Sequence, residues 1–153
     1  MAEPISEQIV SRIITRLKLI TRTTYKFNLD VVRGDEDGEP VVSPNKDAKA
    51  QVVAKAPVKD YALSYCGRDA YRMMVGIFVT IYTTEDSTVE PSTLQARILA
   101  EIDKVLATDR QMNGLAADSV TVSPQVGYDN QMPGADMLID VLFFTEQNNP
   151  DSL

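Results

Sequence analysis

The amino-acid sequence predicts an α+β domain, in the broad α/β class, whose two helices pack on one face of a sheet. Two stretches of helical length repeat apolar residues every three or four positions, and five stretches are typical of strands, three by alternation of apolar with polar residues and two by longer apolar runs. In chain order they predict helix, strand, strand, strand, helix, strand, strand. That order is typical of a mostly antiparallel mixed sheet of about five strands. The length of 153 residues, without an internal repeat or a linker, predicts a single domain over residues 1–153.

The first helix is predicted over residues 4–21. Pro4 suits the first turn of a helix, where its missing N–H has no partner to lose. Arg12 and Arg16 lie in the second half, where positive charge complements the helix dipole. The apolar stripe predicts packing on the sheet, with a partner-binding helix as the alternative, and consists of Ile5, Ile9, Ile13 and Leu17.

Residues 24–33 and 48–55 alternate apolar and polar side chains and are predicted to be strands. Between them, residues 34–47 are an acidic excursion that includes Gly38 and Pro40, which predicts a turn or loop. We expect the second strand to return antiparallel to the first, as the far arm of a long hairpin. Its small alanines and exposed lysines are typical of a strand near a sheet edge.

Residues 71–82 predict the central strand, because one face of this stretch is wholly apolar and the other is mixed. β-branched and aromatic residues dominate, and Gly76 argues against the rival interpretation as a buried helix. Before this strand, residues 57–69 have no clear period and predict a connection. Connections of this length in compact domains are often functional or ordered by a partner. The apolar face consists of Tyr71, Met73, Val75, Ile77, Val79 and Ile81.

The second helix is predicted over residues 92–109, where Ser92 and Gln95 have the spacing of a capping box. Asp140 interrupts the apolar run of the last predicted strand, which indicates either a solvated face or a contact with a neighbouring subunit. The last third of the chain is predicted to hold a strand over residues 117–126, a turn-rich loop over 127–135, a strand over 137–144 and a polar tail over 146–153.

Composition excludes several classes of function. The chain has no His and a single cysteine, Cys66, which excludes an internal disulfide, Ser-His-Asp and Cys-His catalytic sets, and the commonest zinc ligand. No Gly-rich phosphate loop is present. The acidic excursion is a poor calcium loop, because Pro40 stands where the sharp turn needs Gly. We therefore predict no cofactor and no metal. No apolar run is long enough to span a membrane, so we expect a protein of the cytoplasm or of particles assembled there.

Several segments follow one another in a characteristic order: Ile9-x-x-x-Ile13-x-x-x-Leu17, a strand ending Val31-Val32-Arg33-Gly34, Arg72 with the strand to Tyr82, Ile98-Leu99-x-x-Ile102 with Ala107-x-Asp109, and a last strand ending Phe143-Phe144-Thr145. This order resembles the tail terminator, or tail completion, proteins of tailed bacteriophages, the group that includes minor tail protein U. The resemblance implies a non-enzymatic virion subunit that assembles as a ring, typically a hexamer. Such a ring caps the tail tube, stops its polymerisation and joins the tail to the neck or head.

The resemblance also implies partners: copies of the same chain, the tail tube protein, neck or head-completion proteins, and a sheath where the tail is contractile. DNA would pass through the lumen without specific binding, which agrees with a net charge of −7. We hypothesise that an acidic group lies near the lumen or on a ring face, namely Asp35, Glu36, Asp37 and Glu39. A second hypothesis places four residues in subunit contacts, where Arg is enriched: Arg33, Arg68, Arg72 and Asp140.

Three alternatives remain. The chain could be another phage neck or head-completion ring protein, which only its position in a particle would separate from a terminator. It could be a small-ligand-binding α/β regulatory domain, which needs a concave pocket. The least favoured alternative is an enzyme that uses carboxylates with Tyr61 or Tyr65, because the chain lacks His and a phosphate-binding loop.

Overall fold

The computed structural model describes residues 4–19, 29–34, 48–65, 67–81, 91–129 and 132–146. These ranges hold two helices and six strands, in the predicted order with one short strand added. The helices are α1 (Ile5–Leu17) and α2 (Pro91–Ala107), and a 3-10 turn follows at Met112–Gly114. The strands are β1 (Leu29–Arg33), β2 (Ala48–Ala54), β3 (Val58–Lys59), β4 (Arg68–Ile81), β5 (Asp118–Asp129) and β6 (Met132–Glu146).

The strands form one mixed sheet in the order β1-β2-β4-β6-β5, with β3 paired to β4 on the same edge as β2. Paired strands run antiparallel except β1 and β2, which pair in parallel from Leu29 opposite Ala48 to Arg33 opposite Val52. The predicted mixed, mostly antiparallel sheet is confirmed, whereas the expected hairpin between β1 and β2 is wrong. Alternation of apolar and polar residues looks the same in either strand direction. The segment between these strands also has the length of roughly a dozen residues that a parallel crossover needs.

β4 lies in the middle of the sheet and carries its two contrasting faces. On the face away from the core, an added Cβ at Gly76 would lie 2.8 Å from Cε2 of the Phe78 ring. Glycine at this position therefore lets the aromatic ring approach the sheet. The apolar face predicted from the sequence is confirmed, and it joins the helices in one core through Met73, Val75, Ile77, Val79 and Ile81.

Both helices pack on this single face, as predicted. The α1 stripe is buried as its four-residue spacing indicated, and α2 adds an equivalent stripe beside it. Within the described ranges, no helix combines the length and the apolar composition that crossing a membrane requires. The buried helix residues are Ile5, Ile9, Val10, Ile13 and Leu17 of α1, and Ile98, Ile102 and Leu106 of α2.

Two arginines of α1 hold the carboxyl end of α2. Arg12 Nε lies 2.7 Å from Asp109 Oδ2. Arg16 donates from Nη2 to the Val105 carbonyl at 3.3 Å and to the Thr108 hydroxyl. The last carbonyls of a helix lack partners within the helix and carry partial negative charge, so a guanidinium beside them is stabilising. From the sequence, these arginines were predicted to complement the dipole of α1, their own helix. In the structure they lie at the carboxyl end of α2.

Gln95 links α2 to the hairpin of β5 and β6. Its side-chain Nε2 donates to the Gly127 carbonyl at 2.8 Å and to the Gly134 carbonyl at 3.0 Å, and the residue is buried. The predicted capping box is wrong, because α2 begins at Pro91 and Ser92 lies inside the helix. Gln95 therefore positions the helix on the sheet instead of capping it.

The loop predicted over residues 127–135 is mostly strand. β5 continues to Asp129 and β6 starts at Met132, so the two strands pair almost to the tip of their hairpin. Glycines suggested a turn here, but they lie within the paired strands. The predicted polar tail starts at the last residue of β6, Glu146, and residues 147–153 lie outside the described ranges.

Candidate assembly surface

Exposed apolar side chains concentrate in one segment, residues 58–65, which we name the apolar loop. Among the described residues, it holds more than half of the large apolar side chains that remain exposed. Single exposed apolar residues are ordinary, but a group of them on one segment is typical of an interaction site. The group comprises Val58 (68% exposed), Tyr61 (80%), Leu63 (41%) and Tyr65 (61%).

Asp60 holds the first half of the apolar loop in a fixed turn. Its carboxylate Oδ1 accepts hydrogen bonds from the backbone N–H groups of Ala62 at 3.1 Å and Leu63 at 3.3 Å. Its backbone carbonyl accepts from the N–H of Ser64 at 3.1 Å and from the Ser64 hydroxyl at 2.8 Å. Aspartate is favoured in such turns, because its short side chain can replace a backbone partner. The turn thus holds Tyr61 and Leu63 in place while both remain exposed.

The second half of the apolar loop is joined to the sheet. Tyr65 and Arg68 exchange backbone hydrogen bonds of 3.1 and 2.9 Å across a tight turn in which Gly67 has a φ of +80°. That left-handed conformation favours glycine. The Tyr65 ring packs against the Phe144 ring of β6, with centroids 5.8 Å apart. The predicted connection over residues 57–69 therefore contains β3, a capped turn and the start of β4.

Two of the predicted interface residues, Arg72 and Asp140, meet on the sheet face opposite the helices. Arg72 Nη1 lies 3.2 Å from Asp140 Oδ2, and Arg72 Nε lies 3.1 Å from Asp60 Oδ2. The guanidinium is half exposed, so water screens these ion pairs and their contribution to stability is small. Sequence reasoning missed Asp60, although an aspartate at the start of a turn is a signal for a side chain that binds the backbone.

The other residues proposed for subunit contacts or the lumen are separate from this cluster. Arg33 at the end of β1 donates from both terminal nitrogens to Glu7 on α1, with Nη2 2.9 Å from Oε1. Hydrogen bonding from Arg33 holds the pKa of the Glu7 carboxyl below its usual range. Arg68 begins β4 opposite Glu146. Five residues considered for function in the sequence analysis lie outside the described ranges: Asp35, Glu36, Asp37, Glu39 and Cys66.

Lys59 ties the apolar loop to the first residues of β4. Its Nζ lies 3.2 Å from Asp69 Oδ1 and 5.4 Å from the centre of the Tyr61 ring. The hydrogen bond to Asp69 raises the pKa of Lys59 above its ordinary value. The Tyr61 ring consequently lies against a permanent cation at neutral pH, a favourable arrangement for an exposed aromatic face.

A cavity of about 250 Å³ lies at the other edge of the sheet, between α2 and β5. Its lining includes the apolar side chains of Leu106, Met112 and Ile139, with Asp103 and Arg110 as polar groups. Small-molecule sites usually occupy roughly 300–1,000 Å³, so this cavity does not favour the ligand-binding alternative. Within the described part of the chain, no three Cys, Asp or Glu side chains are grouped closely enough to hold a metal ion.

Comparison with known proteins bears on the fold. No protein-family profile matches the sequence, and no curated protein matches it. Among solved structures, the chain is similar to the sheath/tube terminator of an extracellular contractile injection system, PVC, in its extended state, determined by cryo-electron microscopy. The TM-score is 0.52 at 12% sequence identity, and the match covers 94% of this chain. The two chains share a fold. This chain spans 57% of the length of that terminator chain.

Proposed function

We propose that this chain is a structural subunit of a phage-type tail, which forms a ring with copies of itself and ends the tail tube. The observation that carries the proposal is the fold, shared over 94% of the chain with a sheath/tube terminator. The order and spacing of apolar segments in the sequence, which resemble those of phage tail terminators, support the same function.

The apolar loop supports this function through its combination of exposure and order. A subunit that folds first and assembles later needs apolar surface that is accessible but already positioned, because ordering a segment during binding weakens affinity. The turn at Asp60 and its ion pair with Arg72 provide that order within a single chain. We propose that Arg68, Arg72 and Asp140 beside the loop, and Arg33 on β1, contribute to contacts between subunits.

Charge supports a ring through which DNA passes. With a net charge of −7, the chain as a whole repels phosphate and would not retain a moving duplex. The other partners of this ring would be the tail tube, neck or head-completion proteins, and a sheath in a contractile tail, which places the chain in the virion. We propose that an acidic group lies near the lumen or on a ring face, namely Asp35, Glu36, Asp37 and Glu39.

The test is the mass of the purified chain, by native mass spectrometry and light scattering over a concentration series, followed by electron microscopy with tail tubes added. We expect rings of about six copies, alone or once tubes are present, seated at tube ends. Tubes assembled with the chain should stop growing at a uniform length, whereas tubes without it should continue. A chain that stays monomeric beside tubes and leaves their length unchanged would refute the proposal.

A further inference from the structure

The two edges of the sheet carry different apolar features. The apolar loop begins with β3, on one side of the central strand β4. On the far side, beyond β6, the edge strand β5 bears two more exposed apolar side chains, Val120 and Val126. The cavity between α2 and β5 also lies at this second edge. One edge thus presents apolar side chains, and the opposite edge presents a hollow.

Val58, at the start of the apolar loop, and Asp118, which precedes the cavity-lining Ser119, lie on one row of the sheet. Val58 on β3 pairs with Arg72 on β4, Arg72 pairs with Leu142 on β6, and Leu142 pairs with Asp118 on β5. This single row crosses three strand spacings, roughly 14 Å. A head-to-tail contact between two different patches forms a closed ring when neighbouring copies are related by a rotation with no translation along the ring axis. A row of the sheet that joins the two edges is compatible with that requirement for a ring whose axis follows the strands.

The cavity has room for a side chain from the apolar loop. A cavity of about 150 Å³ lined by aliphatic and aromatic groups is enough to hold a benzene ring. The cavity beside β5 is larger, about 250 Å³, and its floor is apolar at Leu106, Met112 and Ile139. Tyr61 is the most exposed side chain of the loop, and the cavity's Asp103 and Arg110 are suitable partners for its hydroxyl.

The charges of the two edges are complementary. Residues 55–72, which include the apolar loop, carry four basic and two acidic side chains in a chain that is acidic overall. Residues 101–129, which include the last seven residues of α2 and the whole of β5, carry five acidic and two basic side chains. A basic edge facing an acidic edge favours contact between opposite edges and disfavours contact between two identical ones.

The edge strand β5 is poorly suited to the other common contact, pairing of strands between copies. Pro124 has no N–H to donate, and the register shifts between Val122 and Gln125. Both features are devices that protect an edge strand against added strands. The contact at this edge must therefore come from side chains.

We infer that neighbouring copies meet head to tail, with the apolar loop of one copy seated in the cavity between α2 and β5 of the next. The inference rests on the proposed function, since it presupposes a ring of identical chains. Each copy then uses both edges once, and Tyr61 with Leu63 enters the hollow whose rim includes Ala107.

Two variants, one at each edge, test the inference. Tyr61→Ser/Leu63→Ser removes the apolar side chains of the loop, and Ala107→Trp fills the hollow from an exposed position on its rim. The matched controls are Leu19→Ser, which removes an exposed apolar side chain elsewhere, and Ala100→Trp, which adds the same ring to an exposed site of α2 outside the cavity. Circular dichroism checks that each variant is folded, and native mass spectrometry measures its mass.

Each edge variant alone should stay at the 16.9 kDa mass of one chain, while the controls form the same rings as the unmodified chain. Mixed in equal amounts, the two edge variants should give a dimer of twice that mass, because one intact loop then meets one intact cavity. Under the conditions in which the unmodified chain forms rings, rings from either edge variant alone, or an equal mixture that stays monomeric, would overturn the inference and leave the proposed function standing. An unmodified chain that forms no ring even with tubes would overturn both.

Discussion

The helix side of β4 and the apolar loop are both rich in apolar side chains, yet their surroundings are opposite. Met73, Val75, Ile77, Val79 and Ile81 are buried against the two helices, whereas Val58, Tyr61, Leu63 and Tyr65 face solvent a few residues earlier in the chain. Packing holds the first group. Hydrogen bonds that the Asp60 carboxylate accepts from backbone N–H groups hold much of the second. The contrast indicates that the first region stabilises the fold, and we propose that the second mediates binding.

The largest predicted effect on the free energy of unfolding comes from a substitution in the core, and a matching substitution in the apolar loop should have almost none. Ile77→Ala removes a fully buried side chain at the middle of β4 and should lower the free energy of unfolding by about 2–5 kcal/mol, because it leaves a cavity in a packed core. Tyr61→Ala removes a side chain that is mostly exposed and should change the same quantity by less than about 0.5 kcal/mol. Urea unfolding followed by circular dichroism measures both. Equal losses of unfolding free energy in the two variants would contradict the view that only the core residue stabilises the fold.

The two faces of β4 offer a second comparison. Gly76→Ala places a methyl group 2.8 Å from Cε2 of Phe78, so the ring must move and the free energy of unfolding should fall by about 1–3 kcal/mol. The double variant Gly76→Ala/Phe78→Leu should recover part of that loss, since the ring is gone. Thermal unfolding of the two single variants and the double variant measures the coupling. Additive effects would show that Phe78 is not what requires glycine here.

A smaller loss of stability is expected when the turn of the apolar loop is weakened, and it should leave the core unchanged. Asp60→Ala removes the acceptor for the N–H groups of Ala62 and Leu63 and should cost about 0.5–2 kcal/mol, as loss of a capping side chain does. Asp60→Asn keeps one acceptor oxygen and should cost less. Hydrogen exchange should accelerate at Leu63 in the alanine variant but remain unchanged at Ile77. Equal acceleration at both sites would place the loop within the cooperative core.

The smallest effect concerns the ion pair between Glu7 and Arg33, which joins α1 to β1. Hydrogen bonding to Arg33 lowers the pKa of Glu7 from its ordinary value of 4.5 in the folded chain. The stabilisation is therefore present above that ordinary pKa and is lost as pH falls through the lowered one. Glu7→Gln should cost less than about 1 kcal/mol near pH 7, because the pair is partly exposed, and the difference should vanish in acid and shrink in salt. A difference that persists at pH 2 would show that the pair's charge is not its cause.

The sequence by itself determined the helices, the alternating faces and the central strand. Burial of one side of a helix or strand leaves a repeat of 3.6 or 2 residues that can be read directly, as the stripe from Ile5 to Leu17 and the apolar face of β4 both show. Asp140 was also identifiable as unusual, since it interrupts a run of apolar residues, and Arg72 was predicted in subunit contacts because Arg is enriched there. The pairing of Arg72 with Asp60 and with Asp140 was not, because these partners lie 12 and 68 positions from Arg72 in the chain.

Only the tertiary structure decided the parallel pairing of β1 with β2, the contacts of Arg12 and Arg16 with α2, and the hydrogen bonds of Gln95 to the β5–β6 hairpin. It also decided that the apolar loop and the cavity lie at opposite edges of the sheet. Periodicity records which side of an element is buried but carries no information on strand order, direction or register. Those are fixed when distant segments pack together, and the surfaces that could join one copy to the next exist only after that step.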